Sequence, residues 1–324
     1  MTATVARRTM VPPADLLPEV LPTARLNARA MPTRPLRDSL RRIPTLRNVI
    51  TVVMAVLQTF GVVIAAAWLN TWWSYLVAFV LMGRGHCLLN ILGHEAAHRL
   101  LFPSRRANDV VGRWLLAYPT FLAFGAYRRV HFAHHRDELG PEEPDIGLYR
   151  GYPIAADSWH RKLRRDLLGI SASKNFKALF FSLRKRSVEA WQILAVQVVL
   201  LGASIAVMRP LAYVVWILSW STLWKFSNRL RAIAEHGGME RSADRRRTTH
   251  VIRQTPIARY CMVPYNTGWH LAHHVDMGVP WRNLPKLHDE LVRSGWLVPD
   301  VEYPTYRSFW KACSAGQPSP TSTR

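Results

Sequence analysis

The chain has little cysteine and little acidic charge. It contains three cysteines, Cys87, Cys261 and Cys313, with no metal or redox motif in their spacing. The sequence therefore gives no sign of a disulfide framework, an iron–sulfur site or a thiolate zinc site. Asp and Glu total 21 against 43 Lys and Arg, and the formal net charge is +22. The positions of these basic residues decide which partner they indicate.

Charge is missing from several long apolar stretches. The first of them carries no charged residue over 21 positions, which matches the roughly 20 residues that a helix needs to cross a bilayer. A buried core helix would explain one such run, but repeated runs of bilayer length favour a membrane protein. Four apolar runs occur, at 49–69, 72–92, 190–208 and 210–224; the second is broken only by Arg84 and His86, and the fourth is on the short side.

The basic residues are distributed asymmetrically around these runs. Nine lie in 1–48, thirteen in 128–187 and fifteen in 225–324, whereas the short turns at Asn70–Thr71 and Arg209–Pro210 contain only Arg209. This is the positive-inside bias, so we expect both termini in the cytoplasm, in a bacterial inner or plasma membrane. The anionic inner leaflet, rather than nucleic acid, is the expected electrostatic partner.

These features predict an all-α integral membrane protein with four transmembrane helices in two hairpins and a cytoplasmic helical cap. Residues 1–48 are rich in Pro and Arg, lack hydrophobic periodicity and show no secretory signal, so we expect a mobile cytoplasmic arm. Residues 49–300 are the expected membrane domain, and 301–324 form a C-terminal tail. No repeat and no fused haem-binding or ferredoxin-like domain is visible.

Two further segments are apolar without being long enough to span. Residues 110–127 are interrupted by Gly112, Arg113, Pro119 and Gly125, which predicts a re-entrant or interfacial segment packed against protein. Residues 158–187 alternate apolar and basic positions at helical spacing and are typical of helices lying on a membrane surface.

Nine histidines form the most informative pattern. HEAAH contains His94 and His98, HFAHH contains His131, His134 and His135, HLAHH contains His270, His273 and His274, and His236 stands alone before Gly-Gly. Residues i, i+3 and i+4 share one face of a helix, and two HxxHH clusters are expected by chance in well below about one in a thousand chains.

Neutral imidazole is the commonest protein metal ligand. Eight clustered imidazoles are too many for one four-coordinate ion, so the pattern predicts two metals. Nitrogen-rich sites suit iron and copper, and a pair of irons can activate O2 and attack an unactivated C–H bond. At the ends of membrane helices, the natural substrate is an acyl chain or another lipid.

Ligating imidazoles usually donate their second N–H to a carboxylate or a carbonyl. Five acidic residues are adjacent or nearly adjacent to a cluster histidine and are candidates for this role, although each is equally well explained as a surface carboxylate. By contrast, we expect His86 to be a core residue and His160, His250 and His288 to be surface residues. The five acidic candidates are Glu95, Asp137, Glu138, Glu235 and Asp276.

At this point a family resemblance is clear. GHEAAH, YRRVHFAHHRD and YNTGWHLAHH resemble the three histidine boxes of the integral-membrane fatty acid desaturase superfamily, which also includes lipid hydroxylases and carotenoid ketolases. The resemblance covers about residues 49–295 and implies that the eight box histidines ligate two irons, with O2 as co-substrate. His236 matches an extra ligand that the family places between boxes two and three.

The chain departs from the acyl-CoA branch of that superfamily. Ala232 stands where that branch has an Asn, three residues rather than four separate His94 from His98, and the third box begins with His270 rather than the Gln of front-end desaturases. These differences favour acyl-lipid, sphingolipid or carotenoid substrates. Since no cytochrome b5 is fused, the resemblance implies a separate ferredoxin or cytochrome b5-like electron donor.

Two alternatives belong to other classes. HEAAH is also an HExxH motif, in which Glu95 would be the general base of a membrane zinc metalloprotease, but that leaves HFAHH and HLAHH unexplained. A membrane protein with a purely structural metal is the third possibility. Within the favoured class, no residue distinguishes desaturation from hydroxylation or ketolation, because all begin with removal of hydrogen.

Overall fold

The protein is built mostly from helices, as predicted. The computed structural model describes residues 9–316, in which two short strands, Val251–Ile252 (β1) and Glu302–Tyr303 (β2), pair in parallel. The α-helices are, in chain order, Leu36–Leu40 (α1), Thr45–Leu69 (α2), Trp72–Ala97 (α3), Arg105–Val111 (α4), Phe124–Arg136 (α5), Ile146–Tyr149 (α6), Ala156–Leu167 (α7), Ala172–Arg184 (α8), Val188–Ala206 (α9), Pro210–Ser219 (α10), Lys225–His236 (α11), Pro256–Cys261 (α12), His270–Val275 (α13), Leu284–Arg293 (α14) and Tyr306–Cys313 (α15).

Three helical segments of the described chain are long and apolar enough to cross a membrane. They are Leu36–Leu69, which contains α2, Trp72–Ala97, which is α3, and Val188–Ala206, which is α9. Large apolar side chains along them, such as Leu57 and Val198, are exposed. Extended apolar surface of this kind is expected where lipid rather than water covers the protein, and the three segments support a membrane protein.

The first predicted hairpin turn is confirmed. α2 ends at Asn70, which adopts a left-handed conformation with φ of 49°, a conformation that Asn tolerates better than most residues. Thr71 then caps α3: its side chain accepts a hydrogen bond from the N–H of Ser74, whose hydroxyl accepts one from the N–H of Thr71. This reciprocal box starts the second helix directly after the first ends.

The fourth apolar run forms a shorter element than the predicted span. α10 has ten residues, and the chain then passes through a π-helical turn, Trp220–Trp224, into α11. α10 alone is well short of the roughly 20 residues that crossing requires, so three helices of residues 9–316, rather than four, meet the length criterion. Trp220 and Trp224 are buried against Cys87 and Ile91 of α3.

The segment between the first two histidine clusters is irregular, and its second half, 116–120, is buried. α4 is followed by a π-helical turn, Gly112–Ala117, and a 3-10 turn, Tyr118–Thr120. The carbonyl of Tyr118 accepts a hydrogen bond from Gln197 on α9 at 2.8 Å, and that of Pro119 accepts one from the Trp216 indole on α10 at 3.0 Å. Non-helical backbone at this depth is stable because neighbouring side chains satisfy its polar groups.

The N-terminal segment, over the residues that the structure describes, packs against α13 and α14. Leu26, Ala30 and Leu40 are buried together with Leu271 and Leu287. The apolar residues of this segment are isolated among Pro and Arg, so no periodicity indicates that 9–48 would be packed. Residues 1–8 of the predicted mobile arm lie outside the described residues.

The C-terminal segment is also packed, against β1 and α11. β2 pairs with β1, and α15 buries Phe309 and Cys313 completely in a cluster that includes Ile233 of α11. The predicted boundary at residue 300 therefore falls within a packed region. Residues 317–324 of the predicted tail lie outside the described part of the chain.

Candidate metal centre

The three clusters and the lone histidine converge on one place. Their ring nitrogens form two groups, and within each group the nitrogens lie within 4.8 Å of one another. The groups adjoin, because the rings of His135 and His274 stack with centroids 4.3 Å apart. The first group comprises His94, His98, His131, His135 and His273, and the second comprises His134, His236, His270 and His274.

Each cluster is held by the helical spacing that the sequence predicts. HEAAH ends α3, HFAHH forms the last turns of α5, and HLAHH makes up most of α13. His236 is the last residue of α11 and is completely buried. His98 and His131, which lie before and after the irregular segment, meet at 2.8 Å. That segment therefore brings the second cluster back to the first.

The nitrogens of the first group have more close neighbours than hydrogen bonding can explain. Nε2 of His131 lies 2.8 Å from Nε2 of His98 and 3.0 Å from that of His135, which is itself 3.1 Å from Nε2 of His273. One ring nitrogen offers either a single N–H or a single lone pair. It cannot serve two such partners at once, whereas an ion placed between them accepts every lone pair.

The same separations are compatible with two ligands on one ion. Two ligands with metal–nitrogen bonds of about 2.1 Å lie ~3.0 Å apart at a right angle and ~3.4 Å apart at the tetrahedral angle. In the second group, Nε2 of His270 lies 3.1 Å from that of His236 and 3.0 Å from that of His274. Both groups therefore contain nitrogens at the spacing that a shared ion requires.

Burial keeps these imidazoles neutral. It lowers the pKa of His131, His135 and His273 well below 6.5, and neighbouring histidines lower the pKa further. The pKa of His236, His270 and His274 is lowered for the same two reasons. A neutral ring presents a lone pair, so burial prepares both groups for binding cations.

Two hydrogen bonds determine which nitrogen of a ring bears the proton. Nδ1 of His236 lies 2.8 Å from the carbonyl oxygen of Thr248, which can only accept, so Nδ1 must donate. Nδ1 of His134 donates in the same way to Oε2 of Glu143 at 2.7 Å. In both rings Nδ1 is engaged in this way, and Nε2 is the nitrogen left for the second group, as expected of metal ligands.

Three of the five predicted carboxylates approach cluster histidines. Glu138 contacts Nδ1 of His274 and also binds Arg245 at 2.7 Å. Oε1 of Glu235 lies 3.6 Å from Nδ1 of His270, and Oε1 of Glu95 lies 3.7 Å from Nδ1 of His94.

The other two carboxylates were predicted wrongly. Asp276 is buried but binds Arg41, with its nearer oxygen at 2.6 Å, and Asp137 binds Arg241 at 2.8 Å. Over residues 9–316 neither has an ion pair with a cluster histidine. Proximity in sequence failed here because each carboxylate follows the last turn of its helix, where the chain changes direction.

Glu143 was missed by the sequence reasoning. It lies nine residues after His134, within a Pro-flanked turn that brings it back onto the ring. Burial alone would raise the pKa of Glu143, but its interactions with His134 and the hydrogen bonds from the backbone N–H groups of Asp145 and Leu139 together outweigh burial and lower the pKa. The only signal was composition, because three acidic residues cluster in PEEPD.

The remaining histidines lie outside both groups. His86 is buried, with Nε2 3.1 Å from the carbonyl of Trp216, and His160 is exposed, both as predicted. His250 is not the predicted surface residue: it is buried, its Nε2 donates to the carbonyl of Gly237 at 2.8 Å, and its ring meets Phe309. His288 is partly buried.

A cavity of about 310 Å³ opens onto both groups. His131 and His273 of the first group and His134 and His270 of the second line it. One wall is the polar face of α11, from Lys225 to Glu235. A molecule in this cavity would contact the histidines directly.

Comparison with known proteins gives the family. The family described as Fatty acid desaturase matches residues 70–310, which is most of the chain. The chain belongs to the fatty acid desaturase family. It is therefore a desaturase-like oxidoreductase, and the resemblance drawn from the histidine boxes is confirmed.

Curated relatives agree with the family. The chain is 27% identical over 249 residues to dihydrorhizobitoxine desaturase of Bradyrhizobium elkanii, covering 69% of this chain and 70% of the relative. It is 21% identical over 282 residues to the sn-1 acyl-lipid omega-3 desaturase (ferredoxin) of Nostoc sp. (strain 36), covering 76% of each. It is 28% identical over 137 residues to the chloroplastic omega-3 fatty acid desaturase of Glycine max, covering 41% of this chain and 27% of the relative.

Proposed function

We propose that the chain is a membrane-bound, O2-dependent di-iron enzyme that desaturates the acyl chain of a lipid, with electrons from a separate donor. The observation that carries the proposal is the convergence of nine histidines into two adjoining groups on one cavity. Family membership supplies the reaction class.

The residues divide the proposed metal binding between the two groups. His94, His98, His131, His135 and His273 would hold one iron, and His134, His236, His270 and His274 the other. The pair of irons supplies O2 activation and removal of hydrogen from an unactivated C–H bond. The chain itself orients the imidazoles through Glu143 and Thr248 and positions the substrate in the cavity.

The position of the site supports a lipid substrate. HEAAH lies at the end of α3, where an apolar helix meets the packed polar region. We propose four membrane crossings, with α10, its π-helical turn and the start of α11 forming the fourth, and with both termini and the helical cap in the cytoplasm. The positive-inside distribution of Lys and Arg supports this orientation.

The name of one relative supports a separate electron donor. The Nostoc relative is named as ferredoxin-dependent. We propose a ferredoxin or a cytochrome b5-like protein for this chain, bound on the cytoplasmic side. Addition of either reduced donor to purified enzyme with O2 and lipid tests this directly.

Mass spectrometry of cell extracts tests the proposal. Cells expressing the wild type, His131→Ala or His160→Ala are compared, since His160 is an exposed histidine outside both groups. The wild type and His160→Ala should yield a lipid lighter by two hydrogens, and His131→Ala should not. Full activity of His131→Ala would contradict the assignment, and purified protein should contain about two irons per chain.

The same extracts separate the alternatives. A product heavier by one oxygen would indicate lipid or carotenoid hydroxylation on the same scaffold. The Bradyrhizobium elkanii relative is named for dihydrorhizobitoxine, so water-soluble extracts are analysed beside the lipids. One zinc per chain with peptide cleavage would indicate a metalloprotease, a function that leaves seven of the nine converging histidines unexplained.

A further inference from the structure

A second cavity adjoins the one at the histidines. Its volume is about 500 Å³, and it lies among α7, α8, the start of α11 and residues 144–148. We call it the basic vestibule. It shares five lining residues with the histidine cavity, so the two spaces meet along one wall. The shared residues are Asp145, Leu148, Asn175, Lys225 and Asn228.

Cations outnumber carboxylates around the vestibule. Two carboxylates line it, and one of them, Asp166, is bound by the guanidinium of Arg229 through two hydrogen bonds. The other is Asp145. An excess of positive charge therefore faces the space. The basic lining residues are Lys162, Arg165, Lys174, Lys225 and Arg229.

Lys225 lies where the two cavities meet. Its Nζ lies 4.2 Å above the ring of Trp220, and within residues 9–316 it has neither a hydrogen bond nor an ion pair. Its ammonium group is partly buried, and such a charge without its own counter-ion is costly unless a ligand supplies one.

The N-terminal end of α8 adds to the positive potential in the basic vestibule. Ser171, which directly precedes this 13-residue helix, makes no capping hydrogen bond with its side chain, and it lines the vestibule with Lys174. The positive end of the helix dipole favours an anion here. This adds to the charge of Lys225 and Lys174.

A polar stripe connects the vestibule to the histidines. Lys225, Asn228, Arg231 and Glu235 recur at helical spacing on α11, and all four line the histidine cavity. At 1.5 Å per residue, Lys225 and Glu235 lie roughly 15 Å apart along the helix axis. A long-chain molecule can therefore reach both ends of this path.

We propose that the substrate carries a carboxylate or phosphate group and that this anion binds in the basic vestibule beside Lys225 and Lys174, while its chain extends along α11 to the histidines. The inference rests on the proposed function and adds to it the chemical class of the substrate. The anion would supply the counter-charge that Lys225 lacks.

Binding to full-length protein in detergent tests the inference without requiring turnover. Palmitic acid is compared with methyl palmitate, and phosphatidic acid with diacylglycerol, so that the two pairs distinguish carboxylate from phosphate. Hydrogen bonds to a charged group are worth roughly 1.5–3 kcal/mol. The wild type should therefore prefer the anionic member of at least one pair by about tenfold or more.

Variants assign the preference to the vestibule. Lys225→Met and Lys174→Met should reduce it several-fold, and Lys225→Arg should retain it because the charge remains. Lys177→Met is the matched control, since Lys177 lies one turn along α8 from Lys174, is exposed and does not line the vestibule. Equal binding within both pairs by the wild type overturns the inference, as does an equal effect of Lys177→Met.

This result is independent of the proposed reaction. A preference for anions that Lys225→Met removes supports the vestibule even if cells produce no new lipid. A new lipid product without any anion preference supports the proposed function and overturns the vestibule inference.

Discussion

Nδ1 of His134 lies 2.7 Å from Oε2 of Glu143, and both side chains are buried. The carboxylate also accepts hydrogen bonds from the backbone N–H groups of Leu139 and Asp145. The turn after α5 is therefore held to the ring that it orients. Loss of this contact would affect the second histidine group more than the fold as a whole.

Glu143→Gln tests that contact. The amide keeps the size but loses the charge that favours donation by Nδ1 of His134, and loss of such a partner typically weakens metal binding by about 10–100-fold. Iron per chain and product formation should both fall. Glu142→Gln, at the exposed neighbouring position, should leave both unchanged, and an equal effect of the two variants would contradict an orienting role.

His236→Ala tests whether the lone histidine is a ligand. Its Nε2 lies 3.1 Å from that of His270, so its removal should weaken the second group while leaving the first intact. Iron measured in purified protein should fall from about two to about one per chain. Normal iron content would make His236 a structural residue.

His250 gives a prediction about acid stability. Burial lowers the pKa of His250 to about 4 from 6.5, although its hydrogen bond to Gly237 opposes the shift. Between these values the unfolded chain binds a proton that the folded chain does not, so stability falls as the pH falls below 6.5, by about 1.4 kcal/mol per pH unit from this residue. Above pH 6.5 both states are neutral and the slope from His250 disappears.

His250→Gln removes that contribution. Glutamine can still donate to the carbonyl of Gly237 but does not titrate. The thermal midpoint of the variant in detergent should decline less steeply than that of the wild type between pH 6.5 and 4.5, since the other histidines remain in both proteins. Parallel curves for the two proteins would show that His250 protonates as readily folded as unfolded.

Gly112 and Gly61 form a matched pair of helical glycines. A Cβ at Gly112 would lie 2.5 Å from Cζ of Phe124, whereas one at Gly61 meets nothing within 4 Å. Gly112→Ala should therefore destabilise the protein by about 1–3 kcal/mol. Gly61→Ala should stabilise α2 by about 0.5–1 kcal/mol. Thermal unfolding of both variants measures the difference, and equal midpoints would show that Phe124 moves aside without cost.

The histidine clusters were predictable because helical periodicity alone places His131, His134 and His135 on one face. The contact between this cluster and HLAHH has no periodicity to predict it. It was predictable because a metal site requires more ligands than one cluster offers. Glu143 was not predictable from spacing, because its approach to His134 depends on the path of a turn. Asp276 failed for the opposite reason: it is close to His274 in sequence, but Arg41 binds it.

The predicted spans were correct for the three runs whose length alone makes a spanning helix. The fourth differs because packing against α3 shapes it. α2, α3 and α9 follow the hydropathy of the sequence closely. The run at 210–224 does not, because Trp220 and Trp224 pack into α3 through a π-helical turn whose energy depends on the neighbouring helix. The packing of Leu26 and Leu40 was hidden because isolated apolar residues carry no period.

The π-helical turn at Trp220–Trp224 also makes this helix tolerant of one missing residue. Each residue of an α-helix turns the following side chains by about 100°, and a π-helical turn accommodates one residue more than an α-helical turn would. Deleting a single residue inside the turn would let the helix run on regularly, with Lys225, Glu235 and His236 keeping their present directions. The same deletion in the regular turns of α11 would rotate every side chain beyond it away from the histidines.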